Sequence, residues 1–422
     1  MPENIMGYLV MGTQPNSGGA SDPDFSTLPA SSSETLGQQP LLNQSYSPVG
    51  EPQVMMQRCL ELARRASGRT APNPLVGCVI VHQRQIVGEG FHPGAGHPHA
   101  EVFALQAAGD RAKGATLYVN LEPCNHYGRT PPCSEAVIKA GISKVIVGIV
   151  DPDPRVSGSG IARLRSAGIE VVVGIEAEAC RELNEAFIHR IRYQCPFGIL
   201  KYAMTLDGKI ATSSGHSAWV TDQAARAQVH HLRAVCDAVI VGGNTVRRDN
   251  PQLTTHRPDE RNPLRIVMSR SLELPDQAYL WQTDAAPTLV LTQVGANPES
   301  QQRLKNKGVE VIALQHLSPM AAMTYLYERG LLSVLWECGG TLAARAIAEG
   351  AVQKVLAFIA PKIVGGSTAP SPVGELGLNT MGEALTLERV RWQIIGSDCL
   401  VEGYLPAESR QTMTPTAIAT KS

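Results

Sequence analysis

The stretch Glu122-Pro-Cys-Asn-His-Tyr-Gly-Arg-Thr-Pro-Pro-Cys133 decides the fold of the first half of the chain. It separates an apolar run that predicts a strand, Ala115–Leu121, from a pattern that predicts a helix, Cys133–Ala140. Helices and short apolar strands alternate on both sides of it, which is typical of an α/β layer with a central sheet. The sequence therefore predicts an α/β domain in which Cys124 and Cys133 stand at the ends of two elements.

His99-Ala-Glu101 precedes this stretch, where a short helix is expected to begin. One imidazole and two thiolates, from His99, Cys124 and Cys133, suit Zn²⁺ and leave its fourth position for water, as in a catalytic site. Zinc lowers the pKa of such a water towards ~7. Residues two apart point to different sides of a helix, but at its beginning both His99 and Glu101 can border the metal. We expect Glu101 to shuttle protons and not to bind the ion.

A His-x-Glu motif followed by Pro-Cys is the arrangement of zinc-dependent base deaminases, which end in a Cys-x-x-Cys pair. Here eight residues separate the two cysteines, so the match is to a variant. The alternatives to a catalytic zinc are a structural zinc, which would require a fourth protein ligand nearby, and two unrelated buried cysteines. We expect His97 to cap a helix or to pack against neighbouring side chains. His126, in the polar loop between the cysteines, is better placed to contact a substrate.

Composition limits the kinds of partner. The 422 residues leave room for two or three domains. A net charge of −1 and an aromatic content of 5% argue against nucleic acid and anionic membranes as partners, and no apolar run reaches the length of about 18 residues that spans a bilayer. Nine scattered cysteines favour a reducing compartment, so we expect a cytoplasmic protein.

The chain divides into four segments by composition and pattern. Residues 1–52 are rich in Ser, Gly, Pro, Gln and Asn and contain no Lys or Arg, which predicts a disordered tail without a targeting peptide. A zinc domain at 53–195 ends with a predicted helix, Glu176–Arg192, before Pro196. A second α/β domain follows at 196–408, and residues 409–422 are expected to be a flexible C-terminus. The strands predicted in the second domain are Phe197–Thr205, Asp237–Val241, Leu264–Met268, Thr288–Leu291, Val309–Ala313, Ser333–Trp336 and Val355–Ile359.

A second candidate site begins at Glu337-Cys-Gly-Gly-Thr341, which follows a predicted strand and opens a helix. Such a turn exposes amide N–H groups at a helix N-terminus, where an anion can bind. The alternative is a simple turn without a ligand. Taken alone, Lys201 and Asp249 are expected to be surface residues.

Several segments carry a resemblance to a known family. Ala71-Pro-Asn-Pro-Leu-Val-Gly-Cys-Val-Ile80, Gly90-Phe-His-Pro-Gly-Ala-Gly-His-Pro-His-Ala-Glu101 and the stretch 122–133 resemble the bifunctional deaminase/reductase of riboflavin biosynthesis. In the second half, Lys201-Tyr-Ala-Met-Thr-Leu-Asp-Gly-Lys-Ile210 and Thr245-Val-Arg-Arg-Asp-Asn-Pro251 resemble its reductase domain. The resemblance covers roughly residues 53–405, and the long spacing between the cysteines is specific to this family.

The resemblance implies a cytidine-deaminase-like α/β/α zinc domain followed by a dihydrofolate-reductase-like α/β domain. The first would deaminate a small phosphoribosylaminopyrimidine, and the second would use NADPH to reduce the ribosyl group to ribityl. Zn²⁺ and NADPH are then the cofactors. We also expect a homo-oligomer.

The resemblance also assigns site residues. It places the deaminase substrate at Asn73, His92, His126 and Arg129. It places NADPH at Ala203, Trp219, Thr245, Asp249, Ser269, Gly339, Gly340, Thr341 and Arg345. It places the reductase substrate at Lys201, Ser217, Arg233, Leu253, His256 and Glu337.

This chain departs from the family pattern at two positions. Cys338 replaces a frequent glycine, and His256 stands where an arginine is usual. Either His256 takes over that role or Arg257 does with the help of a local bulge. We favour His256, because neighbouring residues of an extended chain point to opposite faces.

Two other functions stay open at this point. A nucleic-acid base deaminase with an accessory domain is disfavoured by the near-neutral charge. A non-catalytic zinc scaffold is disfavoured because it would not need Glu101.

Overall fold

In the computed structural model, which describes residues 51–127 and 131–406, two central sheets each form the core of one half of the chain. The first sheet is built from β1 (Gly77–His82), β2 (Gln85–Phe91), β3 (Thr116–Leu121), β4 (Lys144–Ile149) and β5 (Glu170–Val173). The helices of this half are α1 (Glu51–Arg64), α2 (Ala100–Ala108), α3 (Cys133–Lys139), α4 (Ser159–Ser166), α5 (Ala177–Leu183) and α6 (Glu185–Tyr193). The strand order is β2-β1-β3-β4-β5, with β3, β4 and β5 parallel and β1 antiparallel to both its neighbours.

Helices cover both faces of the first sheet, as predicted for an α/β/α layer. Ala104 of α2, Val137 of α3 and Leu164 of α4 join one core cluster with apolar side chains of the strands. On the opposite face, α1 buries an apolar side that includes Met55 and Cys59. Burial of these side chains is the main stabilising contribution to this half.

Two glycines of β2 allow α2 to approach the sheet closely. A Cβ atom at Gly88 would lie 2.2 Å from the carbonyl oxygen of Ala104, and one at Gly90 would lie 2.4 Å from that of Ala100. Any other residue at these positions would push the helix away. The glycines therefore fix the place at which α2 begins, next to His99.

The second half contains nine strands in one sheet. They are β6 (Phe197–Thr205), β7 (Ala238–Gly242), β8 (Leu264–Met268), β9 (Thr288–Gln293), β10 (Glu310–Leu314), β11 (Ser333–Trp336), β12 (Lys354–Ala360), β13 (Glu388–Ile395) and β14 (Asp398–Tyr404). Its helices are α7 (Gln223–Val235), α8 (Gly243–Asp249), α9 (Pro298–Asn306), α10 (Pro319–Glu328) and α11 (Gly340–Ala348). The order is β10-β9-β8-β7-β11-β6-β12-β14-β13, and only the pairs that involve β14 are antiparallel.

The order of this sheet creates a crevice. From β6 the chain skips one position to β7 and continues outward to β10, then returns to place β11 between β7 and β6. In open parallel sheets, ligands bind outside the carboxyl ends of the strands at such a reversal. The carboxyl ends of β6, β7, β8 and β11 are therefore where a ligand is expected.

Most of the predicted elements are confirmed, and three predicted strands of the second half, Phe197–Thr205, Leu264–Met268 and Ser333–Trp336, have the observed bounds. The helix predicted over 176–192 is wrong in one respect, because it is interrupted at Asn184. The Asn184 side chain is buried. It accepts from the backbone N–H of Leu75 (2.8 Å) and donates to the Leu75 carbonyl (2.9 Å), so it stabilises the loop before β1.

Neither β2 nor the closing hairpin of β13 and β14 is predicted from the sequence pattern. Side chains on both faces of β13 are exposed, so the strand lacks the alternation that marks a half-buried strand.

Helix α1 begins at Glu51, which shortens the predicted tail by two residues. The rest of that tail, and the predicted flexible C-terminus, lie outside the described residues. None of the described helices is long and apolar enough to cross a bilayer.

Candidate active sites

The three predicted zinc ligands meet at one end of the first sheet. His99 is the N-cap residue of α2, Cys124 follows β3, and Cys133 is the first residue of α3. The His99 Nδ1 atom lies 3.1 Å from the Cys133 Sγ and 3.4 Å from the Cys124 Sγ, and all three ligand atoms lie within 4.8 Å of one another. One imidazole and two sulfurs this close fit a tetrahedral zinc ion with one open position.

The surroundings favour ionisation of Cys124. Cys133 directs its backbone N–H at the Cys124 Sγ (3.3 Å). Hydrogen bonding from Cys133, together with His99, holds the pKa of the Cys124 thiol well below its usual range. A thiolate is the form that binds metal, so Cys124 is prepared for zinc, whereas its hydrogen bond with Cys124 raises the pKa of the Cys133 thiol in the absence of the ion.

Glu101 lies in the first turn of α2, directly beside the ligand triad. Its side chain is buried, and its Oε2 atom has no hydrogen-bond partner among the described residues. Burial, and next the negative Cys124, raise the pKa of the carboxyl to about 7. An unpaired buried carboxyl oxygen needs a ligand or water to satisfy it, which agrees with a proton shuttle that does not bind the metal.

The loop that carries Cys124 is held by Glu122, to which the sequence analysis assigned no role. The buried Glu122 carboxylate accepts four backbone N–H groups, from Asp151 (3.1 Å), Gly158 (2.9 Å), Gly160 (2.9 Å) and Ile161 (3.1 Å). These bonds tie the end of β3 to the beginning of α4. They fix the direction in which Cys124 leaves the sheet.

Asn73 and His92 form a hydrogen-bonded pair on the wall of the site. Because the Asn73 amide Nδ2 can only donate, the His92 Nε2 accepts (3.1 Å), and the His92 Nδ1 donates to the Pro98 carbonyl (3.1 Å). Burial lowers the pKa of His92, in keeping with a neutral ring. His92 therefore orients Asn73 and has no ring nitrogen left for another partner.

These residues surround a cavity of about 700 Å³. Of the predicted deaminase residues, Asn73, His92, His99, Glu101, Cys124 and His126 line it. Arg129 lies outside the described residues. Arg190 of α6 and Tyr327 of α10 also line the cavity, and no local sequence signal points to them.

A second cavity, of about 1000 Å³, opens at the carboxyl ends of the second sheet. The predicted cofactor residues Ala203, Trp219, Thr245, Asp249, Ser269, Gly339, Gly340, Thr341 and Arg345 all line it, as do Lys201, Ser217, Arg233 and Glu337. The turn after β11 places the first residues of α11 at this cavity, and Arg345, from the last turn of the same helix, also lines it. Helix N-termini and an arginine fit the phosphates of a dinucleotide.

A buried ionic cluster forms the floor of this cleft. Arg233 donates to both Glu337 carboxylate oxygens (2.6 and 2.9 Å), and the Lys201 Nζ lies 3.7 Å from the same carboxylate. Burial alone would raise the pKa of Glu337, but the charges of Arg233 and Lys201 lower it to about 2. The carboxylate is therefore ionised at all physiological pH values.

Neither Leu253 nor His256 lines the cleft. Leu253 is buried and has a φ of 54°, and His256 has a φ of 55°. The loop is therefore not extended, so the premise on which His256 was preferred to Arg257 is wrong. Arg257 pairs with Glu260 (2.9 Å), whereas the His256 ring lies 4.6 Å from the ring of His230, which does line the cleft.

Two family models match the chain. The cytidine and deoxycytidylate deaminase zinc-binding region matches residues 50–149, and the RibD C-terminal domain matches residues 196–401. A riboflavin biosynthesis protein RibD of Synechocystis is 63% identical over 84% of this chain and 96% of the relative. The chloroplastic riboflavin biosynthesis protein PYRR of Arabidopsis thaliana is 47% identical over 83% of this chain and 60% of the relative.

Solved structures agree with these relatives. The diaminohydroxyphosphoribosylaminopyrimidine deaminase/5-amino-6-(5-phosphoribosylamino)uracil reductase of Thermotoga maritima matches with a TM-score of 0.76 and 37% identity, over 84% of this chain and 99% of that chain. A RibD of Acinetobacter baumannii matches with a TM-score of 0.75 and 38% identity, over 85% of this chain and all of its own. The predicted fold class, a cytidine-deaminase-like domain followed by a reductase domain, is confirmed.

Proposed function

Because the chain belongs to the RibD family of riboflavin biosynthesis and is a bifunctional deaminase and reductase, we propose that its substrate is 2,5-diamino-6-(phosphoribosylamino)pyrimidinone. The first half replaces the ring amino group by oxygen, and the second half reduces the ribosyl group of the product to ribityl. Zinc and NADPH are the cofactors. We further propose a domain boundary near Cys195, between α6 and β6.

The meeting of His99, Cys124 and Cys133 beside the unpaired Glu101 carboxyl is the observation that carries the deaminase assignment. His99, Cys124 and Cys133 would hold the zinc, which makes a water nucleophilic at neutral pH. Glu101 would take a proton from the attacking water at Oε2 and pass it to the departing amino group, so that ammonia leaves. The neutral His92 holds the Asn73 amide so that its free oxygen can accept from a substrate amino group.

In the second half, the cleft separates cofactor and substrate. The α11 N-terminus and Arg345 would hold the NADPH phosphates, and Trp219, which lines the cleft and is largely exposed, would contact the cofactor. NADPH supplies the hydride. Lys201, Arg233 and Glu337 bind the ribosyl group, because a fixed set of charges on the floor can orient its hydroxyl groups.

The order of the two reactions tests this assignment. We expect ammonia release from the diaminopyrimidine phosphoriboside in the absence of NADPH, and NADPH oxidation only after that release. Oxidation of NADPH with the undeaminated compound would contradict the proposed order.

A pH effect is expected at the reductase site through His230 and His256. Burial, then the charge of Arg233, lower the pKa of His256, and burial, Arg233 and His256 lower that of His230 to about 4, so both rings are neutral at pH 7. A phosphate beside them would favour protonation. The KM for the phosphorylated intermediate should therefore fall as the pH falls below ~6.5 and be highest at alkaline pH.

The variants His230→Ala and His256→Ala should each weaken this dependence, whereas Arg257→Ala, whose side chain pairs with Glu260, is the matched control and should do little. The measurement is reductase KM between about pH 4 and 8, a range that begins at the lowered pKa of His230, about 4, and extends past the ordinary pKa of histidine, about 6.5. A silent His256→Ala together with a damaging Arg257→Ala would show that Arg257 contacts the phosphate.

We propose that the protein is a homo-oligomer that joins through β13. This strand lies at the edge of the second sheet, and Val390, Trp392 and Ile394 alternate along it with exposed side chains, Trp392 being 70% exposed. An exposed apolar edge strand is a template for pairing with another copy.

Light scattering on purified protein should show more than one chain per particle, and Trp392→Glu should lower that number. A wild-type monomer, or an unchanged particle for Trp392→Glu, would show that this strand is not the interface.

The expected cytoplasmic location stays a prediction, since the plant relatives are named chloroplastic.

A further inference from the structure

Arg190 stands on the wall of the deaminase cavity, but residues of the other half hold it in place. It lies on α6, and its Nη1 atom donates to the carbonyl oxygens of Tyr327 (2.8 Å) and Leu331 (3.1 Å). Both carbonyls belong to the C-terminal end of α10 and the turn behind it. The guanidinium also lies 4.0 Å from the centre of the Tyr327 ring. Stacking and two fixed hydrogen bonds orient the plane of the guanidinium.

The charges around the cavity single out Arg190. Two arginines of the described chain line the cavity, Arg155 and Arg190. Arg155 is bound through Nε (2.9 Å) and Nη2 (2.5 Å) to the carboxylate of Asp153, which neutralises it. Within residues 51–127 and 131–406, no carboxylate lies within ion-pair distance of Arg190, although the more distant Asp237 attracts it, and its Nε and Nη2 atoms make no hydrogen bond.

A half-buried guanidinium without a counter-ion is costly, and an anionic ligand offsets that cost. The substrate proposed for this cavity carries a phosphate on its ribosyl group. Two adjacent N–H donors without an acceptor among the described residues, on a side chain that lines the cavity, match the bidentate geometry in which arginine binds phosphate.

We propose that Arg190 binds the phosphate of the deaminase substrate and that Tyr327, from the reductase half, positions it. This inference rests on the proposed substrate and adds a recognition site to it. One wall of the deaminase site is then completed by a residue of the second half. Changes at the end of α10 should therefore alter deamination, although α10 lies outside the zinc domain.

The test compares two substrates, the diaminopyrimidine phosphoriboside and the same riboside without its phosphate. For Arg190→Gln, the deaminase KM for the phosphoriboside should rise roughly tenfold or more, the effect of losing hydrogen bonds to a charged group. The kcat, the zinc content and the KM for the riboside should stay close to those of the wild type. Tyr327→Leu should raise the same KM by a smaller factor.

Arg192→Gln is the matched control, because Arg192 is exposed on the same helix and does not line this cavity. Inorganic phosphate gives an independent readout: it should compete with the phosphoriboside in the wild type and lose this effect in Arg190→Gln. An equal rise in KM for both substrates, or phosphate competition that survives the change, would overturn the inference and leave Arg190 as a contact between the halves. A wild-type protein that deaminates neither substrate would instead refute the proposed function.

Discussion

Glu101→Gln is expected to keep its zinc and to lower the rate of deamination by roughly 10²–10⁴-fold, the usual contribution of a positioned general acid–base. The amide has nearly the same shape as the carboxyl but cannot carry a proton between water and leaving group. We expect Glu101 to carry this proton because its Oε2 atom is buried beside the ligand triad and has no hydrogen-bond partner among the described residues. Metal analysis and ammonia release measure the two quantities separately.

Cys124→Ser is the control for this change, because it removes a ligand and should lose most of the metal. Both variants should still reduce the deaminated intermediate with NADPH, since no described residue lines both the reductase cleft and the deaminase cavity. Deamination by Glu101→Gln at nearly the wild-type rate would show that another group moves the proton.

Glu337→Gln is expected to lower the free energy of unfolding by about 3–5 kcal/mol, because it leaves Arg233 and Lys201 buried without their counter-ion. Reductase activity should be lost with it, while zinc binding persists. Chemical denaturation and NADPH oxidation measure the two effects. Glu310→Gln is the matched control, since the Glu310–Arg329 pair is largely exposed and should contribute less than about 1 kcal/mol.

The lowered pKa of Glu337 should also make the free energy of unfolding depend on pH. Its pKa is lowered to about 2 in the folded protein, so its contribution is complete above the unfolded value of about 4.3. It is lost as the pH falls from there towards 2. Glu337→Gln should lose less stability over this window than the wild type. Parallel acid unfolding of the two proteins would contradict the assigned role of the Arg233–Glu337 pair.

Much of the zinc site is predictable from sequence because its ligands and Glu101 belong to two short motifs at element ends. A local pattern is sufficient where the chain itself brings the residues together. Glu122 was part of such a motif, yet its role was not predictable, since its four N–H partners come from a loop and a helix 29 to 39 residues later.

Residues that reach a site from distant elements leave no local signal. Arg190 and Tyr327 meet at the deaminase cavity only because the two halves pack together. His230 carries no motif, and its contact with His256 depends on left-handed backbone that the sequence pattern did not predict. The β13 strand was missed because its side chains are exposed on both faces.

The most direct test of the account is mass spectrometry of the products formed from the diaminopyrimidine phosphoriboside by the purified protein. Without NADPH, we expect one product, in which an amino group has been replaced by oxygen. With NADPH, a second product should follow, heavier by two hydrogens in its sugar. A substrate that stays unchanged under both conditions, or a sugar reduced before the ring is deaminated, would contradict the account.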